Sequence, residues 1–578
     1  MRRLSNKSKL ERSRGGNVSM RRLSKKLEQE PSRGRVFYNR SGRLAPKLQF
    51  PRSSVTVVKN TSGSGFLCSN FLFNLLYLLP LVLFFSYHPV ISLGGDGTMN
   101  FELSLPMIWL VVFDVFGVVM LLRKKMVRKC LKKWRYLLFP AFVTLSILWS
   151  ANTLRGVLTC GVMWLIVFAV MIMVGLRAEL NKDFSRKFLK WFFGSSLVIC
   201  AWCLIQCILD VVGVPRENTL MCLGCTYRSF GFPHPNGFAI EPQFMGNLLL
   251  APAIISGWLV LRKQNSKNSK LERSRGDNFY NGSVGTRTKF QFRDSFRDRC
   301  KNYAGSRFLG FEFLLFCFSA TLFLTFSRGA IYAFVVAMMF MAAWMGVWQR
   351  SWKVLKVPLV VGLAFLFTLN LQGILAQVSP TNDTYQSGVA KALNHLSLGI
   401  IDIRQRDENV VESGAGETES EVVSSEESAE GNESIYDGYV EESTEIRKML
   451  TRNALTLWSR DAKTVLLGVG IGGAGRAMYG AGLTPSPKEI VQNEYASLLL
   501  EVGLVGVVLA VVLLIMVVKV VIKRSANLAI LSLMVAYAVT LIFFAGLPNA
   551  LQIYLLPVVL YICICVGKKS YRGGIMEI

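Results

Sequence analysis

The chain contains 578 residues, of which 52% are hydrophobic and 18% charged, and its mean hydropathy is +0.38. Soluble domains carry about 25% charged residues, so this composition excludes a soluble enzyme with one core. The formal charge of +29 is segregated: residues 1–65 hold 17 Lys or Arg and 3 acids, whereas residues 407–445 hold 14 acids and no Lys or Arg. The 12 cysteines lie mostly within apolar segments, which argues against a disulfide-rich secreted scaffold. The composition therefore predicts a membrane protein.

Twelve apolar segments follow one another along the chain, most of them long enough for a helix that crosses a bilayer core about 30 Å thick. The predicted spans are 67–88, 104–122, 136–150, 154–176, 188–212, 240–261, 307–326, 329–348, 357–377, 494–521, 527–546 and 549–567. They predict an all-α polytopic membrane protein with about 12 transmembrane helices and a large extracytoplasmic loop between spans 9 and 10. The first apolar segment starts near Phe66, after a long basic tail, so we expect no cleavable signal peptide.

The connections between spans alternate in charge, since the even-numbered ones, such as 123–135, are basic and the odd-numbered ones are neutral or acidic. The positive-inside rule then places both termini in the cytoplasm. Because this topology signal accounts for the positive charge, we expect no nucleic-acid partner. The predicted organisation is a basic disordered tail (1–65), spans 1–6 (66–261), a basic cytoplasmic insertion (262–307), spans 7–9 (308–377), an extracytoplasmic loop (378–493) with an acidic disordered stretch (407–445), spans 10–12 (494–567) and a cytoplasmic tail (568–578).

An octapeptide, SKLERSRG, occurs twice, at 8–15 and at 269–276. The surrounding residues share little similarity, so the repeat does not indicate a solenoid. We interpret it as a low-complexity element without regular structure in two cytoplasmic regions. Attraction to anionic lipids is an alternative role.

Three arginines break the charge rule, because Arg155, Arg228 and Arg328 fall on the predicted outer side at or near span ends. A charge at membrane depth costs about 2.5–3.5 kcal/mol and normally faces a polar cavity or a partner. A structural ion pair or an interfacial anchor is one interpretation. The other is an anion site, because guanidinium groups bind phosphate oxygens bidentately. Asp114, midway along the second span, is interpreted as a structural pair with an Arg or Asn.

A polar, Pro- and Gly-rich segment leads into the sixth span and brings together Arg228, His234, Asn236 and Glu241. Partial desolvation at the membrane mouth would raise the pKa of Glu241 and make it a candidate base, although pairing with a nearby Arg is an equal alternative. Cys222 and Cys225 precede this segment in the sequence. No second ligand pair follows them, so a disulfide or two free thiols are favoured over a metal site.

A glycine-rich segment begins at 467 and is followed by the run Gln492-Asn493-Glu494-Tyr495. Its glycines satisfy G-x-G-x-x-G, but no βαβ pattern surrounds them, so a dinucleotide site is not expected. They predict instead a tight turn that allows close backbone approach. The sequence lacks nucleotide and zinc-protease motifs, so we expect no metal and no cofactor.

On these residues the chain resembles the O-antigen ligase and O-antigen polymerase family of bacterial surface-polysaccharide assembly. The matching motifs are Thr325-Phe-Ser-Arg328-Gly329, Arg228-Ser-Phe-Gly-Phe with Pro235-Asn236, the glycine segment 467–472, and Asn493 followed after nine residues by Gly503-Leu-Val-Gly506. The resemblance covers about residues 66–567 without the inserted stretches. Gln492 stands where the ligases carry a histidine that is proposed as a base, which favours the polymerase-like branch.

The resemblance implies a GT-C-like fold and an inverting, metal-independent glycosyltransferase in the bacterial cytoplasmic membrane. Its donor would be an undecaprenyl-diphosphate-linked oligosaccharide or polysaccharide, its acceptor a glycan or lipid-glycan, and its surroundings membrane lipids. Arg228 and Arg328 would bind the diphosphate, and Glu241 or Glu494 would act on the acceptor hydroxyl. The predicted substrate-binding residues are Arg155, Asn236, Gly468, Gly470, Gln492 and Asn493. The alternative is a transporter or a flippase for lipid-linked sugars, which should show repeats between its halves; the sequence shows none.

Overall fold

A computed structural model describes residues 63–86, 89–95, 100–123, 134–177, 180, 182–212, 233–239, 241–280, 310–349, 352–378, 384–397, 436–522, 528–546 and 550–569. Several predictions fall outside these residues. They concern Arg228, Cys222 and Cys225, the first copy of the octapeptide, and most of both terminal tails and of the acidic stretch.

Each of the twelve predicted spans contains a helix. In chain order, the helices are α1 Gly63–Phe84, α2 Leu105–Arg123, α3 Leu138–Leu145, α4 Thr153–Leu176, α5 Lys182–Val212, α6 Pro242–Tyr280, α7 Phe311–Leu324, α8 Arg328–Gln349, α9 Lys356–Val378, α10 Tyr385–Leu396, α11 Tyr436–Trp458, α12 Ala462–Leu467, α13 Ala474–Gly480, α14 Glu494–Ile522, α15 Leu528–Thr540 and α16 Leu551–Lys569. Helices α10–α13 lie within the predicted loop between spans 9 and 10.

Seven helices among the described residues are long and apolar enough to cross a membrane: α2, α4, α5, α6, α8, α9 and α14. Shorter apolar helical segments occupy the other five predicted spans, including Trp134–Trp149, in which α3 is flanked by 3-10 turns. The all-α multi-pass architecture is therefore confirmed. The number of crossings and the side on which the loop lies stay predictions.

Two local features differ from the sequence predictions. Strands β1 (Val90–Gly95) and β2 (Asn100–Ser104) form an antiparallel hairpin between α1 and α2, with Val90 paired to Ser104. A Gly-Asp-Gly turn signal joins these short segments. Helix α6 continues to Tyr280, so the second copy of the octapeptide is helical and the expectation of no regular structure is wrong for that copy.

Helix α6 forms the centre of the bundle. In its most apolar stretch of 18 residues, 94% is buried inside the protein, whereas in the corresponding stretch of α14 only 11% is buried. Small residues bring its neighbours close. A Cβ added to Gly246 would lie 2.6 Å from Cβ of Ala330, and one added to Gly257 would lie 2.7 Å from Cε of Met338. Both contacts are with α8, so α6 fixes the position of the helix that begins at Arg328.

Asp114 of α2 is 4% exposed, and neither carboxylate oxygen has a hydrogen-bond partner among the described residues. Among the described residues, the predicted structural pair with an Arg or Asn is therefore not formed. The sequence placed this acid correctly within an apolar helix. Which neighbours it meets depends on helix packing, which periodicity does not specify.

Candidate functional site at the loop end of the bundle

The polar residues of interest gather at the end of the bundle where α10–α13 lie, which we call the loop end. Between α7 and α8, the turn Thr325–Phe326–Ser327 leads directly into Arg328. Phe326 adopts a φ of 48°, a left-handed conformation that non-glycine residues rarely adopt. Such strain persists only where surrounding contacts impose it, and it is enriched at functional sites.

Hydrogen bonds hold this turn from both sides. The Thr325 hydroxyl donates to the Leu322 carbonyl at 2.7 Å. It also accepts a bond from the Ser327 N–H at 3.3 Å. The Ser327 hydroxyl donates to Oε1 of Gln243 in the first turn of α6. The turn is therefore anchored to the central helix.

Gln243 extends this network to α15. Its Nε2 donates to the Thr540 hydroxyl at 3.1 Å, and that hydroxyl donates to Oδ1 of Asn247 at 2.7 Å. A Cβ added to Gly329 would lie 2.7 Å from Nε2 of Gln243 and 2.9 Å from Cβ of Phe543. Glycine at 329 thus lets α6, α8 and the segment after α15 meet directly beside Arg328.

His395, on α10, contacts the strained turn. Its Nε2 lies 3.2 Å from the Phe326 carbonyl oxygen, which only accepts hydrogen bonds, so Nε2–H is the donor. Burial is the main cause that lowers the pKa of His395, to about 3, and the positive charges of Arg328, His234 and Arg447 lower it further. The imidazole is therefore neutral near pH 7. Two arginines and two histidines, each from a different segment of the chain, therefore lie near one another at the loop end.

The segment before α6 is held by two amide side chains. Nε2 of Gln206 donates to the Gly237 carbonyl at 2.8 Å, and the Gly237 N–H donates to Oε1 of the same side chain at 2.9 Å. Gln372 of α9 donates to the Pro233 carbonyl at 3.0 Å. These bonds fix His234 near His395. Asn236 is 2% exposed and donates to the Ala239 carbonyl, so its amide closes a local turn, and substrate binding by Asn236 stays a prediction.

Glu494, the first residue of α14, contacts the turn Leu541–Gly546 after α15. Its backbone N–H donates to the Leu541 carbonyl at 2.9 Å, and its Oε2 accepts a bond from the Gly546 N–H at 2.8 Å. The same turn contributes Phe543, whose ring lies 6.1 Å from that of Tyr332 on α8. Glu494 and Arg328 therefore flank one structural element, although 166 residues separate them in the sequence.

The glycine-rich segment packs against protein backbone. Val469 and Gly470 donate their N–H groups to the carbonyls of Leu500 and Glu501, each at 2.9 Å. Those carbonyls are released where α14 is interrupted at Gly503, which has φ 63° and ψ −172°. A broken apolar helix requires such replacement partners, because unbonded backbone groups are costly at membrane depth.

The other side of this glycine segment contacts the start of α4. The Ala151 N–H donates to the Val469 carbonyl at 3.1 Å, and the Ser150 hydroxyl donates to the Ile471 carbonyl at 2.9 Å. A Cβ added to Gly470 would lie 2.6 Å from the Ser150 nitrogen. The predicted tight turn with close backbone approach is confirmed for Gly470. Substrate contact by Gly468 and Gly470 stays a prediction.

Arg155 and Glu501 meet across this same contact. The N–H of Ala474 lies 3.5 Å from Oε1 of Glu501, and Gly472 also donates to this carboxylate. The positive charge of Arg155 also acts on this carboxylate. The interpretation of Arg155 as one member of a structural ion pair stays a prediction.

Three other predicted residues have simpler surroundings. Glu241 is exposed, and its role as a base stays a prediction. Asn493 caps α14, because its Oδ1 accepts bonds from the N–H groups of Tyr495 and Ala496, both at 3.1 Å. Gln492, just before this cap, is partly buried.

The sequence analysis did not predict roles for His395, Arg447, Gln243 and Glu501. His395 is one of 3 histidines in the chain, which was its only distinguishing signal. Arg447 marks the return of basic residues after the acidic stretch. No group of three or more His, Cys, Asp or Glu side chains among the described residues could hold a metal ion. The absence of a metal from catalysis stays a prediction.

The described fold and site define a multi-pass helical membrane protein whose polar, cationic residues gather at one end. Residues 313–511 match the family model described as O-antigen ligase, so this segment is similar to that family. The segment contains Arg328, His395, Arg447, the glycine segment and Glu494. Neither the curated proteins nor the solved structures gave a match.

Proposed function

We propose that this chain is an integral-membrane glycosyltransferase of the O-antigen ligase or polymerase type. It transfers glycan from an undecaprenyl-diphosphate carrier at the outer face of the bacterial cytoplasmic membrane. The observation that carries this proposal is the convergence of Arg328, Arg447, His234 and His395 at the loop end. An anionic diphosphate is the group that such a cationic location recognises best.

The reaction proceeds by inversion at the anomeric carbon. An acceptor hydroxyl oxygen attacks this carbon, the bond from carbon to the diphosphate oxygen breaks, and the lipid diphosphate leaves with the bonding electrons. Arg328 and Arg447 stabilise the negative charge that develops on the leaving group. Arg328 is also the first residue of a 22-residue helix, whose positive dipole end adds to the same field.

The proton of the acceptor hydroxyl needs a base. Glu494 is our candidate, because it flanks the Leu541–Gly546 turn that Arg328's helix also contacts. Its Oε2 accepts the Gly546 N–H, which fixes the orientation of the carboxylate that would accept the proton. Glu241 is a weaker candidate, since it is exposed. Arg228 remains a second candidate for diphosphate binding by resemblance.

The first experiment measures glycosidic-bond formation by the purified protein in vesicles with a lipid-diphosphate oligosaccharide. Arg447→Ala should lower turnover by about 100-fold or more, the usual effect of removing one stabilising donor. Arg452→Ala is the matched control, because Arg452 is an exposed arginine on the same helix. Equal turnover in both variants would contradict the assignment. Movement of the donor across the membrane without bond formation would instead support a flippase.

Ligase and polymerase activities are distinguished in cells. Deleting the gene and sizing the surface glycan separates them, because loss of a polymerase leaves single repeat units. Loss of a ligase leaves long polymer on its lipid carrier. Gln492 at the family's histidine position favours the polymerase outcome.

A further inference from the structure

His395 contacts the strained turn that precedes Arg328, and this contact suggests a role beyond the charge cluster itself. We propose that His395 is a positioning residue whose Nε2–H holds the Phe326 carbonyl and thereby fixes the direction in which Arg328 leaves the turn. The proposal rests on the function proposed above. It assigns His395 no proton transfer to or from substrate.

The backbone of the turn is strained at Phe326. Phe326 adopts φ 48° and is 2% exposed, packed with Leu369 and Ala392 in a small apolar cluster between α9 and α10. This left-handed conformation is unfavourable for a bulky aromatic residue. Its carbonyl receives the imidazole N–H at 3.2 Å. Removing that donor would leave the turn free to relax toward an ordinary conformation and shift the residue two positions later, Arg328.

Helix α10 is held rigidly enough to impose this geometry. A Cβ added to Gly388 would lie 2.6 Å from Cβ of Ala376, so α10 lies directly against α9. The hydroxyl of Tyr385 donates to Oδ1 of Asn370 at 2.7 Å at the start of α10. At its other end, the Tyr332 hydroxyl donates to the Leu396 carbonyl at 2.8 Å. Both ends of α10 are therefore tied to neighbouring helices.

Positively charged groups also act on His395. Arg328 on α8, His234 before α6 and Arg447 on α11 interact with it electrostatically, and Lys391 lies one turn earlier on α10. Protonation of the imidazole would add a positive charge to this group. Burial and these charges favour the neutral ring, which keeps one N–H donor for Phe326. A neutral imidazole among cations serves as a hydrogen-bonding group and is a poor proton acceptor.

The experiment compares His395→Ala, His395→Gln and Tyr332→Phe in vesicles with the lipid-diphosphate donor. We expect His395→Ala to lower kcat by about 10- to 100-fold with a smaller change in the donor KM. His395→Gln should recover most of the loss, because its amide N–H can donate to the same carbonyl. Tyr332→Phe removes one of the bonds that hold α10 but leaves the imidazole donor to Phe326 in place, so it should lower kcat less than His395→Ala.

Two further measurements separate this role from others. The pH profile of His395→Gln should superimpose on that of the wild type between pH 5 and 8. His395→Ala should have little additional effect in an Arg328→Ala background. A His395→Gln variant as inactive as His395→Ala, with loss of the acid limb of the profile, would show that His395 is the base and overturn the proposal.

The failure of the proposed function is separable from the failure of this inference. If the wild type forms no glycosidic bond, binding of undecaprenyl diphosphate alone in vesicles replaces turnover as the readout. The inference then predicts weaker binding by His395→Ala and recovery by His395→Gln. Unchanged binding in His395→Ala would overturn it even if the wild type binds the lipid.

Discussion

Replacing Gly503 with alanine tests whether the interruption of α14 is a structural necessity. The backbone at this residue has φ 63° and ψ −172°, a region that only glycine adopts readily. A Cβ there would lie 2.5 Å from the Leu466 carbonyl carbon and 2.6 Å from the Gly468 nitrogen. Both are backbone atoms, so the clash cannot be relieved by a side-chain rotation.

The expected cost has two parts. The unfavourable backbone conformation costs about 1–3 kcal/mol. The bonds from Val469 and Gly470 to the carbonyls of Leu500 and Glu501 contribute about 0.5–1.5 kcal/mol each, and separation of the two segments would lose both. We therefore expect a loss of roughly 2–6 kcal/mol of stability in Gly503→Ala.

The assay is the temperature at which half of the detergent-solubilised protein leaves the monodisperse peak on size-exclusion chromatography. Gly161→Ala in α4 is the matched control, because an added Cβ would meet no atom within 4 Å. Alanine there should be neutral or stabilise by up to about 1 kcal/mol. If Gly503→Ala and Gly161→Ala melt at the same temperature as the wild type, the proposed contact between the glycine segment and α14 is wrong.

Three further changes test single residues. Asn493→Ala should destabilise α14 by about 0.5–2 kcal/mol through loss of its cap while Asn493→Ser retains stability and turnover; an inactive serine variant would point to substrate contact instead. The carboxylate of Asp461 accepts bonds from the N–H and hydroxyl of Thr464, which lowers its pKa. Its stabilising effect is therefore present above the unfolded pKa of about 3.9 and is lost as the pH falls through the lower folded value. The difference in melting temperature between the wild type and Asp461→Ala should shrink between pH 5 and 3, and a constant difference would contradict this. Asp114→Leu removes two buried oxygens that lack partners among the described residues and should stabilise by roughly 1–3 kcal/mol; a loss of stability in denaturant titrations would reveal a partner.

Local sequence properties were enough to locate the helices. Hydropathy over about 20 residues reports whether a segment prefers lipid to water, and each predicted span contains a helix. The hairpin at 90–104 was missed because its strands are short, and the helical repeat at 269–276 was missed because composition alone suggested disorder. The family resemblance also came from the sequence, through motifs such as Ser327-Arg328-Gly329 that lie within the matched segment 313–511.

The partners of those motifs were decided only by tertiary structure. His395 is 69 residues from Phe326. Ser146, whose hydroxyl accepts a hydrogen bond from the Ile471 N–H, is 325 residues from Ile471. Helical periodicity specifies which residues share a face, but not which helix packs against that face or at what depth. The position of Arg328 at a span end was therefore visible in the sequence. The strained turn, the imidazole that holds it and the charges around it follow from how α6, α8 and α10 pack together.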